Sequence, residues 1–191
     1  WRAEPHGGTD GRDLRSTIGS VMHALVAESA VTAEQLLAEL DRAWRQLPFE
    51  SPWYSANERD RHRAMIETFL AWRAQTRGQL TEVGTEVAFD GPLDAGDGVR
   101  LRGRIDRIER DAAGRLVVVD VKTAKTPVSK DDAQQHAQLA VYQLAVEAGL
   151  LGPDEQPGGA RLVYPAKPGA VGAAEREQDP LTTETGDQWR R

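Results

Sequence analysis

Asp120 and Lys122 stand two residues apart at the end of the run Leu116-Val117-Val118-Val119. Side chains alternate along a strand, so Leu116, Val118, Asp120 and Lys122 are expected on one face. A carboxylate and an ammonium emerging where an apolar strand ends need a partner, a metal ion or water. A salt-bridged strand end meets that need by itself; other residues give the pair a second meaning. Counted back from the turn Asp111-Ala112-Ala113-Gly114, Asp106 falls at comparable depth on the preceding strand. His23 lies beside an apolar helical stripe, four residues after Gly19, and Gln138 and Tyr142 are one helical turn apart. Each of these alone reads equally well as a core or boundary residue. Together, two carboxylates and a neutral imidazole make a hard donor set suited to Mg²⁺ or Mn²⁺. Such a cation polarises a phosphoryl oxygen and acidifies a bound water. A lysine aimed at the same cavity orients or deprotonates that water and offsets charge in the transition state. Phosphodiester hydrolysis suits the set better than acyl, glycosyl or redox chemistry. The sequence shows no Ser/His/Asp or Cys/His arrangement and no His-Glu-x-x-His motif.

The elements that must position these residues follow from periodicity. A helix is expected from Ser16 or Thr17, with Ile18, Val21, Met22, Leu25 and Val26 at three- and four-residue spacing. A second is expected from Thr32 to about Leu47, with Thr32 and Gln35 forming a capping box. A third is expected to open at Ser55, capped with Glu58, and to end at Gly78. The period then becomes two: strands over Glu82–Phe89, Val99–Arg110 and Leu116–Val121, the last two forming an antiparallel hairpin. Within the middle strand, alternation puts Val99, Leu101, Gly103 and Ile105 on one face and Arg102, Arg104, Asp106 and Ile108 on the other. A helix capped by Ser129 is expected to run unbroken to about Ala148, followed by a short strand over Ala160–Tyr164. The expected organisation is a flexible segment 1–15, a domain 16–165 (helical part 16–78, sheet and helix core 81–165), and a flexible tail 166–191.

At 191 residues and 39% hydrophobic content the chain can bury one real core. Its net charge of −6 argues against a general nucleic-acid binder. Eight basic and four acidic residues fall between Val99 and Lys125, however, so this hairpin is locally positive and could track a phosphate backbone. Exposed arginines on a solvated strand would look the same. The absence of cysteine removes disulfides, thiolate nucleophiles and Cys-ligated zinc or iron–sulfur clusters. No apolar run approaches membrane-spanning length, and a cytoplasmic location is expected. A chain opening on Trp1 and closing on Trp189-Arg190-Arg191 reads as a domain excised from a longer protein.

Four motifs in order resemble the RecB-like branch of the PD-(D/E)xK nucleases. They are Gly19-Ser20-Val21-Met22-His23, Gly103-Arg104-Ile105-Asp106, Asp120-Val121-Lys122-Thr123-Ala124-Lys125 and Gln138-Leu139-Ala140-Val141-Tyr142. Ala124 stands where the family usually has Gly. The resemblance implies an α/β, restriction-endonuclease-like core: a central mixed sheet flanked by helices, with an N-terminal helical portion. It implies His23, Asp106, Asp120 and the backbone carbonyl of Val121 as metal ligands and Lys122 as the catalytic lysine, with Asp106 and Asp120 also catalytic. It implies Gln138, Tyr142, Lys125 and Arg104 as supporting or DNA-binding residues, and Glu86 falls where some members carry a further acid. The implied cofactor is Mg²⁺ or Mn²⁺, without the iron–sulfur cluster of some relatives. The implied activity is a DNA nuclease, exonuclease-like, within a helicase–nuclease that processes broken DNA ends. Its partners would be single-stranded DNA ends, the motor domains of the parent chain and a second helicase–nuclease subunit. No phosphate-binding loop occurs, so the motor itself lies elsewhere. A non-catalytic DNA-binding or scaffold module of the same fold is the alternative.

Overall fold

The computed structural model describes residues 10–28, 32–49, 51–94 and 98–190. In chain order it contains helices α1 (Asp10–Ala27), α2 (Ala33–Trp44) and α3 (Pro52–Thr76), then strands β1 (Leu80–Pro92), β2 (Arg100–Asp111) and β3 (Leu116–Val121). Helices α4 (Lys130–Gln134) and α5 (Ala137–Glu147), strands β4 (Pro157–Gly169) and β5 (Gly172–Gln178), and helix α6 (Thr183–Arg190) follow. The chain divides into two compact units, residues 1–67 and 68–191. No helix among the described residues is long and apolar enough to cross a membrane.

The N-terminal unit is helical, as its 3.6-residue periodicity requires. Ile18, Met22, Leu25 and Val26 form the buried stripe of α1, and Leu36, Leu40 and Trp44 that of α2. The expected capping box closes the start of α2, with Thr32 Oγ1 accepting from the Gln35 N–H and Gln35 Oε1 from the Thr32 N–H. Two starts were expected too late. Helix α1 begins at Asp10, within the stretch expected to be flexible; its first turns carry no apolar repeat from which periodicity could mark the start. The rest of that stretch, residues 1–9, lies outside the described residues. Helix α3 begins at Pro52 rather than at Ser55. Proline suits a first helical position, where its missing N–H has no partner to lose.

The second unit is built on one five-stranded sheet in the order β1-β2-β3-β4-β5. Neighbours are antiparallel except β3 and β4, which are parallel and joined through α4 and α5. This is the expected α/β class with a mixed sheet. Helix α5 lays Leu139, Tyr142, Ala145 and Val146 on a cluster with Ile105, Ile108, Val118, Ala160 and Leu162. The helix expected to run unbroken from Ser129 is two helices, interrupted at Gln135 and His136. The expected tail is also a correction: residues 166–191 carry the end of β4, all of β5 and α6. Gly172, with φ of 93°, lets that hairpin press against the backbone of Ala71 and Trp72, and Trp72 Nε1 donates to Glu175 Oε2 at 2.9 Å.

Strict alternation along β2 does not hold. Leu101, Ile105 and Ile108 pack in one cluster, although odd and even positions should face opposite ways. The alternation breaks somewhere between Ile105 and Ile108, opposite the stretch of β1 in which Glu86 has φ of 51°.

Candidate active site

The ladder between β2 and β3 runs from Arg110 opposite Leu116 to Arg107 opposite Val119. One step further Asp106 and Asp120 would face each other, the comparable depth that the turn count requires, but there the ladder ends. The Val121 N–H donates to Asp106 Oδ2 at 2.7 Å, so a carboxylate stands in for a ladder acceptor as the strands part. On its other side β3 stays paired, with the Lys122 N–H donating to the Val163 carbonyl at 2.8 Å. The N–H and C=O of one strand residue point the same way, so the Val121 carbonyl is directed into the gap beside Asp106.

Asp120 is 4% exposed, and its Oδ2 lies 2.6 Å from Lys122 Nζ. Lys122 also donates to Gln138 Oε1 at 2.9 Å. Gln138 Nε2 donates to the Tyr142 hydroxyl at 2.8 Å, and that hydroxyl donates to the Arg104 carbonyl at 3.0 Å. One chain of contacts thus crosses from β3 through α5 to β2. Burial pushes the Tyr142 phenol above its ordinary range; the Gln138 hydrogen bond opposes this, and Asp120 and Asp106 add to it. Tyr142 therefore keeps its proton at neutral pH and serves as a donor. Room for its ring comes from Gly103, where an added Cβ would lie 2.8 Å from Phe89 Cζ and 3.6 Å from Tyr142 Cε1. Phe89 and Tyr142 meet edge to face with centroids 6.0 Å apart.

The structure thus brings together Asp106, Asp120, Lys122, Gln138 and Tyr142. Arg104 joins through its carbonyl, while its guanidinium pairs with Glu86 at 3.4 Å and stays two-thirds exposed. Much of the positive charge of the hairpin is likewise matched, Arg100 by Asp90, Arg110 by Glu155 and Arg115 by Asp111. Lys125 lies exposed in the loop after β3. His23 lies partly exposed on α1 in the N-terminal unit.

Among the described residues, no three His, Asp or Glu side chains are grouped closely enough to hold a metal ion. The donors that do converge, Asp106, Asp120 and the Val121 carbonyl, are all hard oxygens. Mg²⁺ is commonly held by one or two carboxylates completed by waters and substrate phosphate, and this donor set fits that mode.

Sequence reasoning missed two contributors. His136 was hidden because an unbroken helix placed it among interior positions, whereas it is the N-cap of α5. No Gly or Pro marks the break. The buried Gln143–Gln178 pair was hidden because Gln178 fell in the expected tail. Gln178 Nε2 donates to the carbonyls of Ala133, Gln134 and His136, while Gln143 Nε2 donates to Gln178 Oε1 at 3.0 Å. These bonds pin the α4–α5 junction to the end of β5.

A family model described as the PD-(D/E)XK nuclease superfamily matches residues 1–191. No curated protein matches the sequence. Among the solved structures that match is one titled "Crystal structure of SSO0001", with 16% identity, 96% of this chain and 85% of that chain covered, and a TM-score of 0.39.

Proposed function

The chain belongs to the PD-(D/E)XK nuclease superfamily, and from that premise we propose that it is a metal-dependent DNA nuclease domain whose catalytic residues are Asp106, Asp120 and Lys122. The observation that carries this reading is the contact chain from Asp120 through Lys122, Gln138 and Tyr142, set beside Asp106 where the β2–β3 ladder opens. The α/β architecture, helices followed by a five-stranded mixed sheet, is consistent with the restriction-endonuclease-like fold.

In the proposed reaction, Asp106, Asp120 and the Val121 carbonyl would hold the cation; His23 is named as a further ligand by its sequence motif alone. A bound Mg²⁺ or Mn²⁺ would supply Lewis-acid polarisation of the scissile phosphate and a more acidic water. Lys122, fixed between Asp120 and Gln138, orients the attacking water and offsets charge as the phosphorane-like transition state forms. Gln138 and Tyr142 hold Lys122 in place from α5, so the lysine does not have to be ordered at the moment of reaction. Arg104, still largely exposed, and Lys125 contact the DNA backbone.

The finer reading is an exonuclease-like domain of a DNA-end-processing helicase–nuclease, acting with motor domains of its parent chain on single-stranded ends. Its support is the order and wording of the four motifs. The test is cleavage of labelled single- and double-stranded DNA by the purified chain with Mg²⁺ or Mn²⁺, compared with Asp120→Ala. Metal-dependent cleavage lost in the variant is the expected result. Cleavage at wild-type rate by Asp120→Ala removes the assignment.

A further inference from the structure

Helix α5 carries the Gln138 amide that meets Lys122 Nζ at 2.9 Å, and Gln138 stands in its first turn. The first N–H groups of a helix have no partner within it, so an uncapped start frays. The N-cap of α5, His136, has extended backbone but makes no side-chain capping bond, and Ala137 and Gln138 are both exposed. The buried residues that anchor α5 begin only at Leu139. What holds the start comes from the end of β5. Gln178, 3% exposed, donates from Nε2 to the His136 carbonyl at 3.1 Å and to those of Ala133 and Gln134 at 3.2 and 3.1 Å. Helix α4 has a further tie, since Gln134 Nε2 donates to the Glu177 carbonyl and Gln134 Oε1 accepts from the Asp179 N–H.

The orientation of the Gln178 amide is forced by backbone groups at both ends. The Leu181 N–H can only donate, so the Gln143 atom it meets at 3.0 Å is Oε1. Gln143 Nε2 then faces Gln178 Oε1 at 3.0 Å and the Asp179 carbonyl at 3.1 Å. Gln178 Nε2 is left toward three carbonyls, which can only accept. We infer that Gln178 is a positioning residue for cleavage: by holding the His136 carbonyl it fixes the first turn of α5 and so keeps Gln138 against Lys122. The inference rests on the nuclease reading and adds to it a residue that acts through Gln138.

The test follows cleavage of a fluorescein-labelled single-stranded oligonucleotide by the whole chain with Mn²⁺, well below the melting temperature of each variant. Gln178→Met keeps the length of the side chain and removes the donor. It should lower kcat by about 3- to 10-fold, the range expected for one hydrogen bond, with KM and Mn²⁺ affinity at the wild-type values. Gln138→Leu should lower kcat by at least as much, and adding Gln178→Met to it should lower kcat no further. Adding His136→Ser to Gln178→Met gives α5 a side-chain cap and should recover most of kcat. A further loss in the first double variant, or no recovery in the second, overturns the inference. So does an unchanged kcat in Gln178→Met, or a loss carried by KM. If Gln178→Met does not fold, Gln178→Glu replaces it in each comparison, because it keeps the acceptor for Gln143 and loses only the donor. Failure of both to fold marks a purely structural residue and overturns the inference as well. Asp120→Ala is the separate control. If it loses cleavage while Gln178→Met keeps full kcat, only this inference fails; if it cleaves normally, the nuclease reading fails too.

Discussion

Asp106 and Arg107 are consecutive residues of β2, and they open onto two charged regions of opposite character. Arg107 points to the side where it lies over the Phe69 ring at 5.7 Å and is fully buried against Glu109 and Glu82, with Arg77 bonding Glu109 at 2.7 Å. Every group in that cluster faces a partner of opposite sign contributed by the fold. Asp106 points to the side where the strands part; there the Lys122 side chain is 32% exposed and the Val121 carbonyl is directed into the gap. Both regions use carboxylates and cations at similar spacing. The difference lies at the centre of each: Arg107 and Glu109 are both fully buried, with Arg77 and Glu82 exposed only at the edge, whereas in the other the cation itself, Lys122, reaches solvent. Burial separates a structural ion cluster from a candidate site where composition cannot.

The strongest way to break that contrast is to remove charge from the open region. Asp120→Asn or Lys122→Ala should lower the cleavage rate by roughly 10²–10⁴-fold, while melting temperature stays near wild type. Combining the two should restore nothing if, as proposed, the pair serves chemistry rather than mutual neutralisation. An active Lys122→Ala protein, or a double variant regaining cleavage, would show that the open pair is structural after all.

The closed cluster should behave in the reverse manner. Arg107→Met leaves Glu109 buried without its main partner and should cost about 3–5 kcal/mol of unfolding free energy, read by urea denaturation. Adding Glu109→Leu should return most of it, since a buried ion pair replaced by apolar residues is often neutral. The folded fraction should still cleave DNA. Rescue by the double change here, and none at Asp120–Lys122, is the signature that distinguishes the two regions.

How much of this the sequence discloses follows from the same physics. Strand β3 is read to the residue because its short, β-branched run is bounded by a turn, and Asp106 is set at the depth of Asp120 simply by counting from that turn. The break in alternation between Ile105 and Ile108 is invisible in the pattern: it lies opposite the left-handed Glu86 of the neighbouring strand, a backbone state that an acidic side chain does not announce. Likewise β5, Gly-Ala-Ala-Glu-Arg-Glu-Gln, has no apolar alternation to read. It is a strand because β4 supplies its ladder partners and because the carbonyls of Ala133 and His136 accept from Gln178 Nε2. Local pattern is enough where an element buries its own residues and insufficient where tertiary partners create it.

Smaller changes test how the open region is held in place. Tyr142→Phe deletes one hydroxyl that accepts from Gln138 and donates to Arg104, and should cost about 0.5–1.5 kcal/mol in stability with a cleavage loss of a few-fold. Gly103→Val pushes a side chain into Phe89 and should cost about 1–3 kcal/mol by overpacking. Activity should fall in both, with the larger stability loss in Gly103→Val. Wild-type cleavage in Gly103→Val would mean that the position of Tyr142 does not matter to the site.

The contrast between closed and open can be tested, with the smallest expected effect, at one buried histidine. His62 in the N-terminal unit is 3% exposed, lies 5.3 Å from the Trp44 ring, and places Nδ1 2.7 Å from the Glu58 carbonyl. Burial holds its imidazole below the ordinary value of 6.5, with the Glu58 carbonyl opposing, Arg61 adding to the fall and the Glu58 carboxylate opposing. The native state therefore binds fewer protons than the unfolded chain between the lowered pKa and 6.5. Its stabilising contribution is complete above that ordinary value and is lost as pH falls through the lowered one. Melting curves taken from pH 8 down to about 5 should show this decline, and His62→Gln should be less steep over the same window after the common contribution of carboxylates is subtracted. Identical slopes would mean that the His62 pKa does not change on folding, and that burial in this unit does not close off an ionisable group as it does around Arg107.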